Sequence, residues 1–138
     1  MRICLCLLAL AATALCADSH PASTTLRGRL EISAGQRAVV ETADHKHVTL
    51  DGDDTTLRVL SDDRINGFAI EARGHFTAPG RFLINPSHEK SMLVKKDGKL
   101  KMVTYWCNVC SIRSYTPGPC ACCQQETLLD LRDPDDIQ

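Results

Sequence analysis

Four cysteines, Cys107, Cys110, Cys120 and Cys123, carry the chemistry most readily read from this chain. They form the pattern C-x2-C-x9-C-x2-C. Two short knuckles spaced in this way each present a pair of sulfurs to one tetrahedral metal ion. Zinc held by four thiolates at about 2.3 Å has no open position for water or substrate, so the role expected of such a site is structural. The fourth ligand is open between the adjacent Cys122 and Cys123, and a second C-x2-C favours Cys123. The loop between the knuckles, Ser111 to Pro119, is shorter than in a standard zinc ribbon, and no glycine follows Cys110 or Cys123. Residues 105–132 hold few apolar side chains, and a structural zinc contributes about 10–16 kcal/mol of apparent binding energy to such a segment.

The same sulfurs allow two other chemistries. Disulfides would staple the lobe and leave one cysteine over, at about 2–4 kcal/mol for each bridge. Trp106-Cys107-Asn108-Val109-Cys110 also has the W-C-x-x-C form of a working thiol pair, which needs a helix after the first cysteine to lower its pKa. Ile112, Tyr115 and Thr116, then Pro117-Gly118-Pro119, do not permit a long helix there. No C-x-x-C-H occurs, so covalent haem attachment is not indicated.

Other side chains offer less. His45 and His47 are two apart, which on a strand puts both on one face, but no carboxylate is evidently placed to complete a metal site. His75 lies in a strand pattern and His88 in a loop pattern, neither with an identifiable catalytic partner. Asp51, Asp53 and Asp54 resemble a calcium loop without its later bidentate Glu. Lys90, Lys95, Lys96, Lys99 and Lys101 make a basic hairpin, yet Arg37 to Leu50 supplies no aromatic platform on which bases could stack. Nucleic acid is therefore not an expected partner, and the lysines read as guards of a sheet edge. Tyr105, Trp106 and Tyr115 either cover the small lobe's core or form a recognition patch with Arg113. Asp130 to Asp136 reads as a solvated acidic tail.

The setting of these groups begins with export. Met1-Arg2, the apolar run Ile3 to Leu15 and the small residues around Cys16-Ala17 have the form of a secretory signal, residues 1–17. That run is too short to span a bilayer, and no later segment approaches the length of a transmembrane helix. Of eight cysteines, Cys4, Cys6 and Cys16 fall within it and five remain beyond it. An odd number cannot all pair within one chain, which favours metal in an oxidising compartment. The net charge of −1 gives no electrostatic footprint for nucleic acid or an anionic membrane.

Residues 18–25 read as a polar, disordered lead-in. Leu26, Gly28, Leu30 and Ile32 then alternate with polar neighbours as a half-buried strand, followed by strands over Arg37 to Thr42 and His47 to Leu50. Thr55 or Thr56 is expected to cap one short helix running to about Ile65. Strands over Gly67 to Thr77 and Phe82 to Ile84 follow, then a hairpin of Met92 to Lys96 and Lys99 to Tyr105 around Asp97-Gly98. Three meandering strands, a helix and further strands predict a mainly β fold, a five-stranded OB-like barrel over 26–104. A Cys-rich zinc-knuckle lobe over 105–132 and an acidic tail over 133–138 complete the expected organisation.

The run from Tyr105 through Cys110, Arg113, Pro117-Gly118-Pro119-Cys120 and Cys122-Cys123-Gln124, with Leu128 to Arg132, resembles small exported bacterial proteins of unknown function. The resemblance rests chiefly on this tail and implies an OB-like domain ahead of it and a periplasmic or secreted location. It implies no activity, and no catalytic triad, paired-carboxylate or phosphate-loop motif occurs in the chain. The expected role is a non-catalytic binding module of the cell envelope, taking an envelope protein or a small ligand. The alternative is a thiol-based redox or metal-handling protein working through the Cys107/Cys110 and Cys120/Cys123 pairs.

Overall fold

The structure is a computed structural model and describes residues 22–136. The expected export signal lies outside the described residues. β1 (Thr24–Glu31), β2 (Val39–Glu41) and β3 (His47–Asp51) form an antiparallel meander. α1 (Asp54–Leu60) and a 3₁₀ turn at Asp63–Ile65 lead into β4 (Ala69–Ala78) and β5 (Arg81–Ile84). β5 pairs in parallel with β3 and antiparallel with β4, and β4 pairs back to β1. The order β1-β2-β3-β5-β4-β1 closes the expected OB-like barrel of five strands.

Period-two alternation explains why these segments are strands. Leu26 and Leu30 of β1, Val40 of β2, Val48 and Leu50 of β3, Ile70 and Ala72 of β4 and Phe82 and Ile84 of β5 all point into one core. Val59, Leu60 and Ile65 close it from the helical connection. Closure brings backbones close. A Cβ at Gly74 would run into the Leu83 carbonyl oxygen of β5, and one at Gly28 into the Glu41 carbonyl of β2.

β4 is long enough to serve two sheets. One edge pairs with β1, while the other is shared, β5 taking the C-terminal half and β6 (Met92–Lys96) residues Ala69 to Ala72. β6 turns through Asp97 and Gly98, both at positive φ (51° and 77°) as a type I′ hairpin requires, into β7 (Lys99–Cys107). β7 is the bridge to the cysteines. One edge pairs first with β6 and then with β8 (Ile112–Ser114); the opposite edge pairs with β9 (Leu128–Arg132). Val103 and Tyr105 of β7 belong to the barrel core, and Leu129 and Leu131 of β9 pack against it.

Several local expectations need correction. The helix is capped by neither Thr55 nor Thr56 but by Asp53, whose carboxylate accepts the Thr56 N–H at 2.8 Å. Its α part ends at Leu60, because Ser61 leaves the helical path and Asp62 starts a separate 3₁₀ turn. A second helix, α2 (His88–Ser91), stands where a loop was expected and is only four residues long. β1 begins at Thr24, within the expected disordered lead-in, because Thr24 and Thr25 find partners in Gly74 and Arg73. The acidic end is not simply solvated: Asp130 lies in β9, Asp133 binds Lys101 at 2.7 Å, and Pro134–Asp136 form a 3₁₀ turn. Among the described residues, no helix is long and apolar enough to cross a membrane.

Candidate metal centre

β7 delivers Cys107 to the end of a strand whose inward positions are already core, so its sulfur arrives buried (1% exposed). The chain then reverses through Asn108 and Val109, with the Ser111 N–H bonded to the Cys107 carbonyl at 2.8 Å. The Cys110 N–H points at the Cys107 sulfur, 3.4 Å away. The second knuckle repeats this plan at the tip of a minimal hairpin. That hairpin is closed by the Pro119–Glu126 bridge and by the Cys120 N–H on the Gln125 carbonyl at 2.8 Å. Here the Gln124 N–H bonds the Cys120 carbonyl at 2.9 Å. Cys120 is also buried, at 3% exposed.

The two turns share a backbone signature. Ser111 (φ 53°) and Gln124 (φ 61°), each directly after the second cysteine of its pair, occupy the left-handed region. Glycine would adopt it freely; for other residues it costs about 1–2 kcal/mol. The missing glycines thus do not prevent the knuckle geometry, and the equivalence makes Cys123, not Cys122, the counterpart of Cys110. The four sulfurs of Cys107, Cys110, Cys120 and Cys123 all lie within 4.8 Å of one another. Cys107 and Cys123 sulfurs are 3.5 Å apart. Sulfurs on a tetrahedral zinc stand about 3.8 Å apart, whereas a disulfide needs about 2.05 Å. All five described cysteines are free thiols, with Cys122 exposed outside the quartet.

The thiols influence one another as sulfurs sharing one site must. The N–H groups of Cys123 and Cys122 aim at Cys120 and bring its pKa down to about 7, favouring the thiolate. The Cys110 N–H acts in the same sense on Cys107, but burial and the neighbouring sulfurs of Cys123 and Cys120 leave its pKa raised. Cys110 is raised by Cys122 first and Cys123 next. Without a cation, four close sulfurs resist sharing negative charge; a divalent cation removes that resistance and converts them to thiolates. The donor set is soft, which suits zinc and excludes the hard oxygen-seeking ions.

Besides the β7–β9 pairing, the lobe is tied to the barrel through Arg64. Arg64, from the 3₁₀ turn, donates through Nη1 to the Thr127 carbonyl at 2.9 Å, and the Thr127 hydroxyl donates to the Gly118 carbonyl at 2.8 Å. The Arg64 guanidinium also lies 5.1 Å from the Tyr105 ring centroid, and its Nε bonds Asp62 at 2.9 and 3.1 Å. Tyr105 is fully buried, and burial first, with the Asp62 charge next, lifts its phenol far above the ordinary range.

The remaining candidates are dispersed. His45 meets Glu41 at 2.7 Å and His47 approaches Glu31 at 3.6 Å, as separate and largely exposed pairs. The Glu41 hydrogen bond raises the His45 pKa. Among the described residues, the cysteine quartet alone gathers enough ligand atoms for a metal. Asp51 bridges Arg37 (2.7 Å) and Arg81 (3.1 Å), and Asp53 is the helix cap, so the acidic run has structural duties. His75 stays on β4, whereas His88 is buried at the start of α2, where burial lowers its pKa. The aromatics flanking the thiols separate by strand alternation: Tyr105 faces the barrel core, Trp106 the opposite side of the sheet, and Tyr115 a cleft beside α2. Arg113 does join Trp106, its guanidinium 5.3 Å from the ring centroid, and pairs with Asp130 at 3.1 Å. Asp130, and Arg132 that lines the same cleft, were not anticipated as site residues. The alternation of Leu128 to Arg132 was the available signal, obscured by the acidic residues that follow.

No protein-family model, curated protein or solved structure matches the chain significantly.

Proposed function

We propose that the chain is an exported, non-catalytic binding module of the bacterial cell envelope whose last lobe is held by one structural zinc. The observation that carries the reading is the sulfur quartet, four ligand atoms within 4.8 Å of one another with two of the cysteines buried. Zinc there would occupy a full sulfur shell, leaving no position for catalysis, and would crosslink the β7–β8 turn to the 119–126 hairpin. Export is supported by the signal-like residues 1–17. The test is intact mass and metal content of the mature protein taken from its native compartment. One zinc and fully reduced thiols are expected; loss of about four hydrogens with no metal would mean two disulfides instead.

The Cys120 thiol, with its pKa brought down to about 7, favours a second reading, a thiol-based redox or metal-handling protein. That reading requires a reactive thiol and readily exchanged metal. Cys120 is 3% exposed, and its N–H donors serve a bound thiolate equally well. Titration of the native protein with a thiol reagent separates the two: rapid reaction at Cys107 or Cys120, with fast zinc loss to chelator, would favour the second.

A further inference from the structure

The β8–β7–β9 sheet has a second face, directed away from the barrel core. Register puts Arg113 and Leu128 beside Trp106, on opposite edges of β7. Asp130 and Arg132 follow Leu128 at alternate positions of β9, so they share its face. These residues line a cavity of about 400 Å³, within the range of small-molecule sites. Arg113 is held in place from two sides, by the Trp106 ring at 5.3 Å and by Asp130 at 3.1 Å. Arg132 makes no ion pair among the described residues. The Nε atoms of both arginines are buried without a hydrogen-bond partner. Two guanidinium groups against one carboxylate leave the cavity with a net positive charge, and Leu128, 53% exposed, adds an apolar wall.

We infer that this face binds a small oxyanion, a carboxylate or a phosphate, received by Arg113 and Arg132, with its apolar part against Leu128. Guanidinium forks match such groups with two parallel hydrogen bonds. Trp106 and Asp130 are positioning residues, because they fix Arg113 before the ligand arrives. The inference deepens the binding-module reading and rests on it, supplying the chemical class of the ligand.

Trp106 is the one tryptophan of the chain and lines this cavity, so its fluorescence reports changes there when metal content is held constant. The metal-loaded mature protein is titrated with inorganic phosphate, acetate and benzoate, with potassium chloride matching ionic strength. A saturable change with phosphate alone identifies a phosphate site. A change with acetate, stronger with benzoate, identifies a carboxylate on an apolar body. In either case Arg132→Gln weakens binding about tenfold or more, the loss expected for a charge-assisted hydrogen bond. Metal content and circular dichroism verify that this variant folds; should it not fold, Arg132→Lys, which keeps the charge but not the fork, must still weaken binding. No saturable response to any of the three anions, or equal affinity in the parent and in the folded Arg132 variant, overturns the inference. Catalytic turnover would instead sink the non-catalytic reading, and it leaves this titration standing.

Discussion

The barrel and the cysteine lobe solve the same problem with opposite means. In the barrel, strands from distant parts of the sequence are held by shared burial: Leu30, Val40, Leu50 and Phe82 are all fully enclosed. That stabilisation is spread over many side chains, each fully buried one contributing about 1.5–3 kcal/mol. In the lobe, Val109, Ile112 and Leu128 remain largely exposed, and the inward positions are taken by Cys107 and Cys120. The lobe gathers four sulfurs that could hold a metal and one arginine, Arg64, against the cost of two strained turn residues, Ser111 and Gln124. A segment too short to enclose an apolar core can still be ordered, provided that a few strong bonds replace many weak ones. The barrel should therefore tolerate the loss of any one contact gradually, and the lobe should fail all at once.

The sharpest way to break the comparison is at the sulfurs. Cys107→Ser should abolish metal binding and disorder residues 108–127 while hydrogen exchange in β1 to β5 stays protected, because the barrel has its own core. Cys122→Ser should leave metal content unchanged; loss of metal in that variant would overturn the ligand assignment. Next in size is the barrel itself. Phe82→Ala should lower stability by about 3–5 kcal/mol in denaturant unfolding, and the metal should not protect against it at the barrel strands.

The connection between the two regions is tested by Arg64→Ala. It removes the bond to the Thr127 carbonyl and leaves the Asp62 carboxylate, 7% exposed, without its charged partner, although the backbone N–H of residue 64 still bonds it. A cost of about 1–3 kcal/mol is expected, together with faster hydrogen exchange in residues 118–127. Unchanged exchange there would show that β9 alone docks the lobe. The smallest effect belongs to the helix cap. Asp53→Ala should cost about 1 kcal/mol at neutral pH. The Thr56 N–H first, together with the Thr55 hydroxyl, holds the Asp53 pKa below its ordinary 3.8. Its stabilising contribution is therefore complete above that value and disappears as pH falls through the lowered folded pKa. Parent and variant should converge in acid, a comparison read by thermal melts across pH.

Much of this molecule can be read from local pattern. Alternation located β1, β3, β4 and β5 to within a few residues, because each buries one face and carries period two in its own sequence; the β6–β7 hairpin, buried on both faces over Met92–Val94 and Met102–Tyr105, was located by its turn. Asp97-Gly98 marked its turn for a purely local reason, the positive φ that both residues adopt. The spacing of Cys107, Cys110, Cys120 and Cys123 was legible in the same way, since a knuckle is a local turn. What failed depends on partners distant in sequence. β9 looked like the start of an acidic tail, because Asp130 makes sense only beside Arg113 and Leu129 only against the barrel core. α2 has too few residues for any periodicity to show.

The sequence by itself determined that the fold would be mainly β, and that the unusual chemistry would be sulfur chemistry near the C-terminus. Both follow from residue type and spacing over short stretches. Tertiary structure alone decided that one strand, β7, would serve both regions, with Tyr105 in the barrel core and Trp106 on the outer face beside Arg113 and Asp130. It also decided that Arg64 would hold the lobe through Thr127. The physical reason is that pairing register and side-chain docking are set by contacts between separate segments, from 7 positions apart for Trp106 and Arg113 to 63 for Arg64 and Thr127. No single segment contains that information until the barrel has closed.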